Sequence, residues 1–210
     1  MSSSDSILQS IRQALHRLPG QPISARPSIV PARAAGASKE EIRRFLEEIR
    51  KLSGTARQLT AEHLPTALQG LVEEQGIRKA TVWNTPRLNE LAVTTHLSAL
   101  GVEIVPPGAE KHQLADCDLG VTEADFALPE TGTLGLLSSA EKPRTVSLLP
   151  RVHLAILSPR ALRPDLHQVF AEAKTQPYLV FITGPSRTAD IELTVTLGVH
   201  GPKALYVWLV

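Results

Sequence analysis

Between residues 79 and 105 the chain runs from a short apolar segment through an amphipathic one to a second apolar segment, and nothing else in it constrains the fold as tightly. Ala80, Thr81, Val82 and Trp83 read as a strand, residues 86–100 as a helix ended by Gly101, and residues 102–105 as the next strand. Strand, helix and strand at this spacing form a βαβ unit, whose strands are parallel and whose crossover is right-handed. The fold class is therefore α/β, an open, mostly parallel sheet flanked by helices.

The apolar run at residues 178–182 has the length and β-branched, aromatic content of a strand buried on both faces. Gly184, Pro185, Ser186, Arg187 and Thr188 follow as a tight turn, and residues 189–197 read as a helix capped by Ser186 or Thr188. A strand that turns into a helix N-terminus is an anion-binding arrangement, with Arg187 and Asp190 beside it. The plainer reading is an ordinary capped turn with a solvated arginine. A second loop, Glu130, Thr131, Gly132 and Thr133, has the same small, hydroxylated character. On neighbouring strands the two loops would face one crevice at the edge of the sheet.

Elsewhere, residues 6–17 carry Ile7, Leu8, Ile11 and Leu15 at helical spacing, and residues 21–37 hold Pro22, Pro27 and Pro31 as an extended arm. A homo-oligomer formed through this arm is one expectation, and packing on its own domain the other. Ser38 and Glu41 make a capping box for a helix stopped by Gly54, and a further helix fits residues 61–75. Residues 109–118 read as a loop or helical turn. From 119 to 157 hairpin-like strands fit better than helices, including residues 146–149 and 152–157. A helix at 164–173 and a final buried strand at 204–209 complete the reading, which makes the last strand structural.

The 210 residues, 42% apolar, can bury a real core, and Lys+Arg 22 against Asp+Glu 21 leaves a net charge of +1. So balanced a chain has no polyelectrolyte signature, and nucleic acid is not an expected partner. Cys117 is the single cysteine, which excludes an internal disulfide and any iron–sulfur or zinc ligand set of its own. Its neighbours Asp116 and Asp118 would raise its pKa, so it reads as inert. No apolar run nears the ~20 residues that span a bilayer and no signal-peptide core opens the sequence, so a cytoplasmic protein without a membrane span is expected.

Chemistry can sit at several residues. Glu130 can act as general base on a hydroxy acid or as nucleophile towards an acyl group, or be a solvated turn residue. Thr131, Gly132 and Thr133 offer N–H and hydroxyl donors to a carboxylate or phosphate. Arg144 and Arg187 can grip both oxygens of a carboxylate, or be tied up in structural ion pairs. His153 and His200 can shuttle protons, or be hydrogen-bonded core residues. Asp190, Glu192 and His200 do not make a metal site, because i and i+2 on a helix diverge. There is no G-x-G-x-x-G motif and no P-loop.

In order, the strings Glu130-Thr131-Gly132-Thr133, Ser147-Leu148-Leu149-Pro150, the run from Gly184 to Glu192, and Gly198-Val199-His200-Gly201-Pro202 resemble the LUD domain, the lactate-utilisation protein C family. The resemblance covers residues 79–210 strongly and the N-terminal region loosely. It implies a NagB/RpiA/CoA-transferase-like fold, in which similar loops of CoA transferases carry a Glu nucleophile. It also implies a role in oxidising L-lactate to pyruvate beside two partner proteins, at least one of which carries iron–sulfur clusters. This chain would then be the cluster-free member, with residues 1–37 as helix and arm and residues 38–210 as the LUD-type domain. The alternatives are a stand-alone acyl- or phosphosugar-handling enzyme with Glu130 catalytic, or a non-catalytic assembly factor.

Overall fold

The computed structural model describes residues 3–16, 38–188 and 196–210. Two compact units divide the chain, residues 1–31 and residues 32–210. The first contains α1 (Ser3–Ala14), whose Ile7, Leu8 and Ile11 are exposed, as is Leu15 just after it. The proline-rich arm lies outside the described residues.

The second unit runs in chain order through α2 (Lys39–Lys51), β1 (Thr55–Gln58), a 3-10 turn (Ala61–His63), α3 (Leu64–Gln75), β2 (Lys79–Val82), α4 (Pro86–Glu90), α5 (Val93–Ala99) and β3 (Glu103–Val105). It continues with α6 (Lys111–Ala115), β4 (Leu119–Glu123), β5 (Phe126–Leu128), β6 (Thr133–Leu137), α7 (Thr145–Leu148), β7 (Val152–Leu157) and a second 3-10 turn (Pro159–Ala161). The last elements are α8 (Leu166–Ala173), β8 (Leu179–Ile182), β9 (Arg187–Thr188), β10 (Thr196–Leu197) and β11 (Ala204–Leu209).

Six strands form one sheet in the order β1-β11-β7-β4-β2-β3, and every neighbouring pair in it is parallel. The fold is α/β, as the βαβ unit requires. A parallel sheet must be covered on both faces, and its inner strands show it: all six residues of β7 are buried, and five of six in β11. The last strand lies inside the sheet, between β1 and β7. On one side α3 is pinned to it, where the Tyr206 hydroxyl donates to Glu74 Oε1 at 2.6 Å and accepts from Gln75 Nε2 at 2.8 Å. Burial, aided by the Glu74 carboxylate, pushes the Tyr206 phenol up to about 12.

Helix α2 forms as its capping pattern dictates. The Ser38 hydroxyl accepts from the Glu41 amide at 3.2 Å, and Ile42, Phe45, Leu46 and Ile49 fall on the buried stripe. The helix expected across residues 86–100 is two helices, α4 and α5, broken at Ala92, which takes a left-handed φ of 49°.

Three further expectations are corrected. Residues 178–182 are not a strand buried in the parallel sheet: β8 is the third strand of a separate antiparallel sheet, β5-β6-β8, and is only partly buried. Apolar content alone does not distinguish a strand covered on two faces from one covered on one. Residues 146–149 are not a strand either, since α7 occupies them, with the Ser147 hydroxyl turned back onto the Arg144 carbonyl at 2.9 Å. Of the helix expected across 189–197, residues 189–195 lie outside the described residues, and its last two residues are strand, Thr196 paired with Thr188 and Leu197 with Arg187. A two-residue strand carries no periodicity to read. Strand β1 escaped notice for a similar reason, being four residues with two polar ends.

Candidate functional site

The two polar loops do meet. The Thr131 and Thr133 hydroxyls are 2.7 Å apart, and Thr133 is 2.8 Å from the Thr183 hydroxyl at the end of β8. Pairing of β6 with β8 brings them together, with Leu134 opposite Ile182. Their meeting place is the C-terminal end of α2. Gly132, at φ 61°, lies so close that a Cβ there would stand 2.8 Å from the Ile49 nitrogen. Gly184, at φ 88°, presses on Leu52 in the same way, with 3.1 Å between such a Cβ and the Leu52 carbonyl oxygen. Only glycine takes both the positive φ and the close approach.

Arg187 donates to that same Leu52 carbonyl, the C-cap of α2. A helix C-terminus presents unpaired carbonyls and the negative end of the dipole, so an arginine caps it well and an anion is disfavoured beside it. Glu130 stands exposed at this junction, 3.6 Å from Arg44 of α2. Thr188 belongs to the β9–β10 ribbon, and Asp190 lies outside the described residues.

Beside the junction opens a cleft of roughly 190 Å³. One wall is the end of β8 with Thr183, Gly184, Pro185 and Ser186; the other is α7, the start of β7 and the turn at His200, Gly201 and Pro202. Backbone bonds hold the two walls in register: the Ser186 amide donates to the Pro202 carbonyl at 3.0 Å, and the Gly198 amide to the Ser186 carbonyl at 2.9 Å. His153 and Leu205 are the second residues of β7 and β11, so the cleft sits at the amino ends of these strands. Doubly wound sheets bind ligands at the carboxyl ends, whereas here the end of β8 and the turn at His200 build the cleft at the amino ends.

His153 is buried and its Nε2 is 2.8 Å from the hydroxyl of Thr122, a diagonal neighbour set by the pairing of Gly120 with His153. Burial pushes the imidazole down to about 3, so the ring is neutral over the physiological range. It can offer or accept a hydrogen bond but cannot supply a positive charge. His200, in the turn on the same wall, is exposed. No Asp, Glu, Lys or Arg lines the cleft among the described residues. Arg144, expected as a carboxylate grip, lies 4.8 Å over the Tyr178 ring and donates to the Tyr178 hydroxyl.

Of the residues expected to act, the cleft thus gathers His153, His200, Gly184 and Ser186, while Glu130, Thr131, Gly132, Thr133 and Arg187 belong to the α2 junction. Thr122 and Thr183 carry no signal in the sequence, and Ser147 is marked there only as part of the Ser147-Leu148-Leu149-Pro150 string. Thr122 becomes visible only with the strand register, and Thr183 only with the β6–β8 pairing.

The parallel sheet, its helical layers and a cleft assembled from late loops define an α/β protein with a ligand-sized pocket at the amino edge. The sequence profile of the LUD domain matches residues 42–210, and the chain belongs to that family. It is similar to the "Lactate utilization protein C" of Halalkalibacterium halodurans, 35% identical over 77% of this chain and 75% of the relative. YkgG of Escherichia coli K12 is 30% identical over 99% of this chain and 98% of its own. Among solved structures, a DUF162-family protein of Deinococcus radiodurans shares the fold, with a TM-score of 0.63 and 20% identity over 84% of this chain and 99% of that one.

Proposed function

We propose that the protein serves the oxidation of L-lactate to pyruvate as a subunit without iron–sulfur clusters, acting in the cytoplasm beside iron–sulfur partner subunits and binding a small ligand in the cleft. The likeness to proteins named lactate utilization protein C, at 35% identity over three quarters of the relative, carries this reading. The cleft supports its second half, since it is a pre-formed concavity with a few convergent hydrogen-bonding groups. A small carboxylate would be met there by the hydroxyl of Ser186 and the ring of His200, without an arginine. The stand-alone enzyme with Glu130 catalytic has less support, because Glu130 is exposed at the α2 junction and does not line the cleft.

The test is deletion of the gene with growth on L-lactate and on glucose, together with affinity purification of the tagged full-length protein. The reading expects loss of growth on L-lactate alone and recovery of an iron–sulfur protein in the eluate. Unimpaired growth on L-lactate would contradict it.

A further inference from the structure

The cleft has an unusual border. Among the described residues of the second unit, all but Leu100 of the large exposed apolar side chains are carried by α7 and the residue after it, by α8, by β8 and the residue before it, and by the turn beside His200. Leu148 and Phe181 line the cleft itself. Phe170 of α8 meets Phe181 edge to face, with ring centroids 5.9 Å apart, and is 53% exposed; Val199, also 53% exposed, precedes His200. Scattered apolar residues on a surface need no explanation, but a cluster at the mouth of a pocket marks a binding surface.

Two properties say what fits. The interior offers hydroxyls and a neutral imidazole but no charged side chain, so a carboxylate or phosphate buried there would lose its hydration without a counter-charge. Its roughly 190 Å³ holds a single small ring or a compact group, and anything longer must run out across the apolar border. We propose that the cleft and its border bind an amphipathic ligand, an uncharged carbonyl-bearing ring as head and a hydrocarbon tail lying on Phe170 and Phe181: the chemistry of a tailed quinone. Carbonyl oxygens on the head would accept from the Ser186 hydroxyl and a His200 ring N–H, since the Ser147 hydroxyl already donates to the Arg144 carbonyl. This rests on the cleft being the ligand site and names the class of ligand it takes.

The experiment is equilibrium dialysis of the full-length protein against decylubiquinone, which has a ten-carbon tail, and against the same ring without the tail. Saturable binding of the tailed probe is expected, at least about tenfold tighter than the tailless one because only the former covers the border. Leu148→Arg, which places a charge at the mouth on an exposed side chain, should abolish binding of both. Phe170→Ser should remove the advantage of the tail and leave the ring's affinity unchanged. Far-ultraviolet circular dichroism and thermal melts establish that each variant is folded.

No saturable binding by the folded protein, equal affinity for the two probes, binding indifferent to Leu148→Arg, or displacement of the probe by L-lactate would each overturn the proposal. So would a Phe170→Ser variant that altered self-association but not probe binding, since a second copy would then cover the border. None of these results bears on growth of the deletion strain, so the role in lactate utilisation stands or falls separately.

Discussion

Two sheets of this protein are made from similar residues and treated differently. Strand β7, Val-His-Leu-Ala-Ile-Leu, lies in the middle of the parallel sheet with every residue buried, whereas β8, Leu-Val-Phe-Ile, closes the antiparallel sheet with Phe181 37% exposed. The difference is topological. A parallel sheet needs helical crossovers, which cover both its faces, while β5, β6 and β8 are joined antiparallel and leave part of β8 uncovered. One sheet supplies stability, and the other lends its uncovered residues to the cleft.

Substitution should separate these roles most visibly. Trp208→Ala, in the buried strand β11, should destabilise by about 3–5 kcal/mol, as expected when a large core aromatic is removed. Phe181→Ala should cost only about 1 kcal/mol, chiefly the edge-to-face contact with Phe170. Urea denaturation at one pH checks both, and equal losses would erase the proposed division.

A smaller effect comes from His153, where the sheets meet at the cleft. Its imidazole is held down to about 3 by burial, so below pH 6.5 the unfolded chain takes up a proton that the folded one refuses. The stabilisation is complete above pH 6.5 and declines as the pH falls towards 3, the loss amounting to about 2 kcal/mol by pH 5 at 1.36 kcal/mol per unit. His153→Leu should therefore lose about 2 kcal/mol less than wild type between pH 7.5 and pH 5. Parallel pH dependences would show that the ring is charged or solvated.

The smallest effect is expected at the α2 junction. Glu130 and Arg44 are both exposed and 3.6 Å apart, so Glu130→Gln should change stability by no more than about 0.5 kcal/mol. A larger change in the same denaturation assay would mean that the carboxylate carries more than this ion pair.

The same contrast explains what could be read from the residues. Helix α2 and the βαβ unit from β2 to β3 were legible because caps and periodicity are local. That the Glu130 and Gly184 loops would approach one another was expected from their shared loop chemistry, but the place where they do so was not. That they clamp the end of α2 depends on the close approach of Gly132 and Gly184 to backbone more than 80 residues away in sequence. Likewise Arg144 and Arg187 looked like carboxylate grips, and only tertiary contacts assign them to Tyr178 and Leu52. An arginine's partner is set by geometry that its neighbours in sequence do not encode.

Complementation gives the most direct test of the cleft as the working site. In a strain lacking the gene, with growth on L-lactate as readout, the account predicts that Glu130→Gln restores growth and that Leu148→Arg, expressed and folded to wild-type levels, does not. Growth with Leu148→Arg and failure with Glu130→Gln would move the function to the α2 junction and contradict the account.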